Sequence, residues 1–262
     1  MPFSSFHTHS LYCDGKNSPE EMVQEAIAQG CPAIGFSGHS NTPFDPGYCM
    51  DEVREPAYRA EILRLKQVYR GRIQIFLGIE QDYYSEPADP SYEFAIGSVH
   101  YVRKNGTYLS IDDTPEILSQ GVEDLYGGDW YRLCEDYYSL VARVPEKTRC
   151  QIVGHFDLIT KFNEKDRFFR EDHPRYTAAA LRALRSLLSQ GALLEINTGA
   201  MSRGWKTVPY PARFLLEEMG KNGTKAILSS DAHRRDDLLF GLSEAAALAR
   251  ECGVELVNFP EK

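Results

Sequence analysis

Histidines and carboxylates recur at the ends of short apolar segments along the whole chain. Strands are predicted at residues 4–8, 33–37, 73–79, 94–101, 151–155, 192–197 and 225–230. Several of them are short, apolar and β-branched, which is typical of strands buried on both faces. Six of the seven histidines lie where such a strand ends, and these are His7, His9, His39, His100, His155 and His233. The pattern restricts the chain to folds in which many strand ends meet.

Helical segments separate the strands. The sequence Ser18-Pro19-Glu20-Glu21 forms a capping box with proline at the first helical position, and Gly30 ends that helix. Further helices are predicted at residues 59–69, 130–144, 176–190, 211–219 and 238–251, with a short one that starts at 114. Residues 254–259 are expected to pair at a sheet edge or to seal one end of the fold. Strands that alternate with helices predict a parallel sheet with right-handed crossovers.

Two architectures fit this alternation, an open doubly wound sheet and a closed barrel. In an open sheet ligands gather at one switch point, whereas in a barrel the carboxyl ends of all strands converge on one mouth. Because polar residues end nearly every strand here, we favour an α/β barrel of the TIM type with seven β/α units instead of eight. A length of 262 residues is normal for one such barrel, so we expect a single domain over residues 1–262.

The residue types at the strand ends favour metal chemistry. Strand side chains alternate between faces, so His7 and His9 point the same way, as do Asp231 and His233. Imidazole and carboxylate without thiolate suit Zn²⁺, Mn²⁺ or Fe²⁺. Such a set of ligands is too large for one ion, so we expect two to three divalent ions, with Glu80 and Asp231 as bridges. Water held between two ions is hydroxide near neutral pH and is the expected nucleophile.

Composition narrows the class of protein. The net charge of −9 and the pI of about 5.3 argue against nucleic-acid binding, which usually needs a basic surface. No apolar stretch approaches the ~18–20 residues of a membrane helix, and residues 1–5 lack the basic start and apolar run of a secretory signal. The six cysteines form no CxxC pair and indicate reduced thiols. We expect a cytoplasmic protein without nucleic-acid or membrane partners, and the oligomeric state stays open.

Several segments between residues 7 and 233 match a known set of motifs in order. These segments are His7-Thr8-His9-Ser10 with Asp14-Gly15, Ser37-Gly38-His39-Ser40, Glu80, Gly97-Ser98-Val99-His100, Gly154-His155 and Ser230-Asp231-Ala232-His233. In combination they resemble the motifs of the PHP (polymerase and histidinol phosphatase) superfamily. The resemblance implies a distorted seven-stranded barrel with a trinuclear metal site at its mouth.

The resemblance also implies which residues share each metal ion. The first metal takes His7, His9, Glu80 and Asp231, the second takes Glu80, His100 and His155, and the third takes Asp14, His39 and His233. Relatives often place a histidine near the position of Asp14, and an aspartate before glycine is also a common turn signal. Asp14 is therefore the one expected ligand that departs from the family pattern.

Within the superfamily, the chain most resembles the histidinol-phosphate phosphatases. The supporting segments are 97–101, 154–159 and 195–199. The resemblance implies hydrolysis of a small phosphomonoester, L-histidinol phosphate, to L-histidinol and phosphate. An alternative is the same site acting on nucleotides, oligonucleotides or phosphotyrosine. A further alternative is a non-catalytic barrel like the PHP modules of polymerases, although those often lose ligands and the full set is present here.

Basic and polar residues near the predicted mouth are candidates for substrate contacts. Arg203 lies just past a strand end where relatives also place a basic residue, and a guanidinium there could grip phosphate with two hydrogen bonds. Lys161, Arg235, Tyr101 and Asn197 are the further candidates. The leaving alkoxide is expected to take its proton from water or from an acid near Asp231 or His233. One carboxylate among Asp112, Asp113, Glu123, Asp124 and Asp129 is a hypothetical partner for the ammonium group of histidinol.

Overall fold

A computed structural model describes residues 3–258 and has an α/β fold. The strands are β1 Ala33–Phe36, β2 Gln74–Asp82, β3 Phe94–Ser98, β4 Tyr101–Lys104, β5 Thr107–Ser110, β6 Ile152–Val153, β7 Leu193–Asn197, β8 Lys225–Ser229 and β9 Glu255–Leu256. The helices are α1 Pro19–Ala28, α2 Arg54–Val68, α3 Pro115–Tyr126, α4 Trp130–Val141, α5 Val144–Thr148, α6 Pro174–Ser189, α7 Gly199–Ser202, α8 Arg213–Lys221 and α9 Leu242–Glu251. Short 3-10 helices lie at Leu158–Thr160, Glu164–Asp166 and Arg235–Asp237.

Seven strands form one curled parallel sheet in the order β1-β2-β3-β6-β7-β8-β9. The N-terminal segment bridges its two sides, because Ser5 pairs with Ile34 of β1 and Thr8 pairs with Ala232 just after β8. The backbone N–H of His9 donates to the carbonyl of Ala232 at 2.9 Å. This arrangement is compatible with a distorted TIM-like barrel, and it brings the carboxyl ends of the strands together.

The structure differs from the predicted strands at residues 4–8 and 94–101 and agrees with the prediction of a C-terminal edge strand. Residues 4–8 pair through isolated bridges and do not form a regular strand. The predicted strand 94–101 ends at Ser98, and the chain then forms the antiparallel hairpin β4–β5, whose turn at Asn105 and Gly106 has positive φ at both positions. The expected edge strand is confirmed at 255–256, where it pairs with β8. Its predicted end at Phe259 lies outside the described residues.

Apolar side chains fill both faces of the sheet. On the outer face α6 buries Tyr176, Ala180, Leu184 and Leu187, which recur every three or four residues. A second cluster joins Phe6 of the N-terminal segment with residues of four strands that are not all neighbours, so these side chains share the concave face. The strand residues are Ala33, Phe94, Ile96, Ile152 and Ile227. Gly78 must lack a side chain here, since a Cβ would lie 2.3 Å from the ring of Phe94. The concave side is therefore packed below the strand ends.

The cysteines agree with the expectation from the sequence. All six cysteines are unpaired thiols, as predicted. Of the helices between residues 3 and 258, none combines the length and apolar character that crossing a bilayer would require.

The predicted capping box at the start of α1 is present, and it gives a stability prediction. Ser18 Oγ accepts the backbone N–H of Glu21 at 3.3 Å, and the Glu21 carboxylate accepts the N–H of Ser18 at 2.8 Å. We expect Ser18→Ala to lower the free energy of unfolding by about 1 kcal/mol, because a helix N–H loses its acceptor. Urea unfolding measures this. Ser189→Ala is the control, since Ser189 bonds only a carbonyl of its own helix; an equal loss there would contradict a capping effect.

Candidate metal centre and adjoining cavity

Nine side chains expected as metal ligands converge at the carboxyl ends of the strands. They form four overlapping groups, His7/Glu80/His155, His7/His9/Asp231, His39/Glu80/His100 and His9/Asp14/His39/His233. In each group the potential ligand atoms lie within 4.8 Å of one another. The overlaps show that neighbouring groups share a histidine or Glu80, so the groups make one continuous cluster.

Regular backbone pairing delivers these side chains to one place. Glu80 lies on β2, and the backbone of His39 forms a parallel bridge to it just after β1. His155 follows β6, and the segment with Asp231 and His233 follows β8. Because the strands are parallel and in register, residues just past their ends project into the same mouth.

Glu80 lies at the middle of the cluster. Its Oε1 is 2.9 Å from Nε2 of His155 and 3.3 Å from Nε2 of His100. Its Oε2 is 3.1 Å from Nε2 of His7 and 3.0 Å from Nδ1 of His39. Each carboxylate oxygen therefore faces a different pair of histidines, which is the arrangement needed for a ligand that bridges two ions.

Asp231 and Asp14 connect the other side of the cluster. Asp231 Oδ1 is 3.2 Å from Nε2 of His9, and Asp14 Oδ2 is 3.1 Å from Nε2 of His233. Asp231 has a φ of 49°, in the left-handed region that non-glycine residues rarely adopt. Its carbonyl accepts a hydrogen bond from Arg203 Nη1 at 3.2 Å, which helps to hold this backbone conformation.

Outer hydrogen bonds orient several of the imidazole rings. His7 Nδ1 donates to Glu195 Oε2 at 2.9 Å, and His100 Nδ1 donates to Asp82 Oδ2 at 3.3 Å. His233 Nδ1 lies 3.0 Å from the carbonyl oxygen of Asp231. A proton on Nδ1 leaves the Nε2 lone pair directed at the cluster, as metal-binding histidines require.

Burial and neighbouring charges set the protonation of the cluster. Burial and the charges of His233 and His39 lower the pKa of His9 to about 3. Burial also opposes charge on Glu80, but the neighbouring histidines outweigh it and hold the pKa of Glu80 well below its usual range. The neighbouring carboxylates outweigh burial at His7 and His233 and raise the pKa of both rings. Because a neutral imidazole and an ionised carboxylate are the forms that bind metal ions, metal binding at these rings would release protons.

Unpaired polar atoms indicate that the cluster fits metal ions. Within residues 3–258, His7 Nε2, His9 Nε2, Asp14 Oδ1 and Glu80 Oε2 are buried and have no hydrogen-bond partner. Buried polar atoms are normally satisfied, because an unsatisfied one costs about 1–3 kcal/mol. All four point into the same cluster, and divalent cations would satisfy them together. The oxygen and nitrogen donors match the softness of Zn²⁺, Mn²⁺ and Fe²⁺.

A cavity of about 350 Å³ opens onto the cluster. The lining includes Asp14, His39, Glu80, His100, His155, Asp231 and His233 on the metal side. The other walls carry Asp45, Gly47, Tyr48, Tyr101, Ser110, Asp112, Asp113, Leu158, Lys161 and Arg203. The volume suits a small molecule, with the metal ligands at one end and further polar groups around it.

Three of the five candidate substrate residues line this cavity. Arg203 Nη2 pairs with Asp231 Oδ2 at 3.0 Å, and Lys161 Nζ donates to the carbonyl of Asp112 at 2.6 Å. The Tyr101 hydroxyl donates to Asp45 Oδ2 at 2.7 Å. Each of these three side chains therefore lines the cavity and also contacts an acidic residue.

Asn197 and Arg235 do not line the cavity. Asn197 is fully buried beneath the cluster, where its Nδ2 donates to Glu195 Oε1 at 2.6 Å. Arg235 is exposed in a 3-10 turn and lies 3.6 Å from Asp236. Of the five acidic residues considered for an ammonium group, Asp112 and Asp113 line the cavity, whereas Glu123, Asp124 and Asp129 lie on α3 and at the start of α4 outside it.

Sequence reasoning missed three carboxylates at the site. Glu195 and Asp82 accept hydrogen bonds from His7 and His100, and Asp45 lines the cavity from the loop after His39. For Glu195 a signal existed, because a charged residue in the middle of the apolar strand β7 needs buried partners. Asp45 lies in a loop, and no periodicity relates it to the strand ends.

Comparison with known proteins agrees with this geometry. The family model described as the PHP domain matches residues 5–199. A protein of Deinococcus radiodurans described as a probable histidinol-phosphatase is 30% identical over 269 residues, covering 97% of this chain and 95% of that protein. The histidinol-phosphatase of Bacillus subtilis is 28% identical over 261 residues, covering 88% of this chain and 94% of that protein.

A solved structure shares the fold. The crystal structure of histidinol phosphate phosphatase from Lactococcus lactis, in complex with zinc, L-histidinol and phosphate, superimposes with a TM-score of 0.73 at 21% identity. The match covers 97% of this chain and 95% of that chain. With the family model covering most of its length and all nine motif residues gathered in one cluster, the chain belongs to the PHP domain family.

Proposed function

We propose that this protein is a metal-dependent phosphomonoesterase that hydrolyses L-histidinol phosphate to L-histidinol and phosphate. The observation that carries the proposal is a small cavity with the cluster of nine ligands at one end and two cationic side chains, Arg203 and Lys161, in its wall. The relatives named as histidinol-phosphatases support the choice of substrate.

The proposed centre holds two to three divalent ions. His7, His9, Glu80 and Asp231 would hold the first ion, Glu80, His100 and His155 the second, and Asp14, His39 and His233 the third. The groups support the first and third sets, and the contacts of Glu80 Oε1 with His100 and His155 support the second. The buried unpaired ligand atoms support metal binding by the cluster as a whole. When bound, such ions activate water for attack on phosphorus and neutralise the phosphoryl oxygens.

Side chains of the cavity wall would bind the phosphoryl group and deliver a proton to the leaving group. Arg203 is held beside Asp231 by its Nη2, and its Nε has no hydrogen-bond partner among the described residues. A phosphoryl group next to the cluster would therefore meet a preorganised guanidinium, which stabilises the charge of the transition state. Asp231 and His233 are nearest to Arg203 and are the proposed region for proton delivery to the leaving alkoxide. We propose no phosphoenzyme, so trapping one on quench would exclude this mechanism.

Acidic residues at the far side of the cavity fit the cationic end of histidinol. Lys161 already neutralises Asp112 at 3.3 Å. Asp45 and Asp113 line the cavity, and neither takes part in an ion pair within residues 3–258. Two carboxylates without a cationic partner favour a substrate that brings a positive charge, such as the ammonium group of histidinol.

Charge removal at Asp45 tests this part of the proposal. Asp45→Asn keeps an oxygen that can accept the hydroxyl of Tyr101, so the main change is the lost charge. We expect KM for L-histidinol phosphate to rise about tenfold, since a hydrogen bond to a charged group contributes about 1.5–3 kcal/mol. KM for p-nitrophenyl phosphate, which lacks an amine, is expected to stay constant. Asp124→Asn, on α3 outside the cavity, is the matched control; an equal rise for both substrates would exclude Asp45 as the ammonium partner.

The activity itself is tested by phosphate release on purified protein whose metal content is determined by mass spectrometry. L-Histidinol phosphate is compared with AMP and phosphotyrosine at equal concentrations. Strong selectivity for L-histidinol phosphate with two to three metals per chain is the expected result. If the protein binds metals but releases phosphate equally well from AMP or phosphotyrosine, it is a phosphoesterase of another substrate class.

We further infer a single domain over residues 1–262, located in the cytoplasm. Support for one domain comes from the site, which draws residues from His7 to His233, and from β9, which returns to β8. Support for the location comes from the six unpaired cysteines, since disulfides are rare in the cytosol.

A further inference from the structure

A buried carboxylate on β7, Glu195, lies behind two histidines of the candidate metal centre and is not among the nine expected ligands. It is 0% exposed. Four hydrogen-bond donors from different parts of the chain surround it. They are His7 Nδ1 at 2.9 Å, the backbone N–H of His155 at 2.8 Å, Asn197 Nδ2 at 2.6 Å and Ser229 Oγ at 2.5 Å.

The donors require an acceptor at both oxygens of this side chain. Oε1 accepts from His155 and Asn197, and Oε2 accepts from Ser229. His7 Nδ1 lies 2.9 Å from Oε2 and 3.1 Å from Oε1. Among side chains of this length only an ionised glutamate accepts at both ends, because a glutamine carries an NH₂ at one of them. The site therefore selects for the chemistry of a carboxylate and not only for its shape.

Two of the four donors belong to expected metal ligands. The ring of His7 meets Glu195 through Nδ1 and meets Glu80 through Nε2, at 3.1 Å. The backbone N–H of His155 is held in place while its Nε2 reaches Glu80 at 2.9 Å. Glu195 thus contacts both histidines of the His7/Glu80/His155 group.

We propose that Glu195 is a positioning residue of the metal centre. It holds His7 in the tautomer with the proton on Nδ1 and the lone pair of Nε2 directed at the cluster, and it fixes the strand end that carries His155. A carboxylate behind a histidine ligand raises the basicity of that ligand and restricts its rotation. The inference needs the metal centre of the proposed function but does not depend on the substrate.

Replacement by glutamine shows why the acceptor chemistry matters. If the amide oxygen takes the Oε2 position and accepts from His7, the NH₂ group meets the N–H of His155 and the NH₂ of Asn197. If the oxygen takes the Oε1 position, the NH₂ group lies at the Oε2 position, 2.9 Å from His7 Nδ1, so two donors face each other while the amide oxygen stays 3.1 Å from that atom. Either orientation disturbs a ligand, although glutamine has almost the same shape as glutamate.

The test measures metal affinity of the intact protein by zinc competition with a chromogenic chelator. We expect Glu195→Gln to bind zinc about 10–100-fold more weakly than the unmodified protein, as loss of a partner behind a ligand typically does. Thermal unfolding of the metal-depleted proteins is recorded in parallel, to separate loss of ligand geometry from loss of folding. Unchanged zinc affinity in Glu195→Gln would overturn the proposal.

Asp157→Asn is the matched control. Asp157 is also a buried carboxylate near the centre, but it accepts only the backbone N–H of Ala212, at 2.8 Å, and its Oδ1 has no hydrogen-bond partner in the described chain. An asparagine oxygen can keep that single bond. We expect its zinc affinity to be unchanged, so an equal loss in both variants would mean that replacing any buried carboxyl group, and not the loss of positioning, explains the effect.

Glu195→Asp distinguishes positioning from packing. Aspartate keeps two acceptor oxygens but leaves a gap, whereas glutamine fills the space but presents donors. Positioning predicts tighter zinc binding by Glu195→Asp than by Glu195→Gln, and a purely packing role predicts the reverse order and overturns the proposal. If Glu195→Gln does not fold, Glu195→Asp decides alone, and a loss of affinity above about tenfold overturns the proposal. Metal binding without hydrolysis of L-histidinol phosphate would refute the proposed function and leave this test valid.

Discussion

Substitution of Glu80 by glutamine is expected to lower kcat/KM for L-histidinol phosphate by at least about 10³-fold, which corresponds to about 4 kcal/mol. The metal content is expected to fall by one or more ions per chain in the same preparation. Both oxygens of Glu80 face histidines, with Oε1 2.9 Å from His155 and Oε2 3.1 Å from His7. An amide keeps only one good ligand atom, so it cannot bridge two ions.

Kinetics and mass spectrometry on the same sample check this prediction. Glu86→Gln is the matched control, because Glu86 is an exposed glutamate shortly after β2 that lines neither the cavity nor the cluster. Activity and metal content should be normal in that variant. Full metal content in Glu80→Gln would remove Glu80 from the proposed bridging role, even if activity were lost.

Substitution of Arg203 by alanine is expected to lower kcat/KM by about 10²–10³-fold while the metal content stays the same. The guanidinium lines the cavity next to Asp231, at 3.0 Å, and is proposed to stabilise the phosphoryl oxygens in the transition state. Arg203→Lys is expected to recover only part of the loss, because an ammonium group cannot make the two parallel hydrogen bonds of a guanidinium.

Arg235→Ala is the control for this experiment. Both arginines follow predicted strand ends, and both were candidates for phosphate binding from the sequence. Arg235 is exposed outside the cavity, so its loss is expected to leave kinetics unchanged. Normal turnover in Arg203→Ala would remove that residue from the mechanism, and a defect in Arg235→Ala would mean that phosphate approaches from a different side.

Much of the fold was predictable because its signals are local. The capping box at Ser18 and the apolar spacing of α6 depend on residues within one or two helical turns, and both elements are present. The hairpin after His100 was missed, since residues 94–101 read as one apolar strand. The turn at Asn105-Gly106 was the local signal for it, as this dipeptide favours a tight hairpin turn.

The convergence of the candidate ligands was predictable for a different reason. In a parallel sheet the register carries residues from successive strand ends to one mouth, so a position in the sequence predicts a position in space. The structure gathers all nine expected ligands, and Asp14 joins them at 3.1 Å from His233. How many ions they hold, and which residues share each ion, stay predictions.

The sequence by itself determined the residue types of the site, their places at strand ends and the alternation of strands and helices. Only the tertiary structure decided which polar residues support those ligands and which line the cavity. His7 and Glu195 are 188 positions apart, and Tyr101 and Asp45 are 56 positions apart. Such pairs follow no periodicity, because they form only when the sheet curls and loops fold over its mouth. The same curvature separates Arg203 in the cavity from Arg235 on the outside.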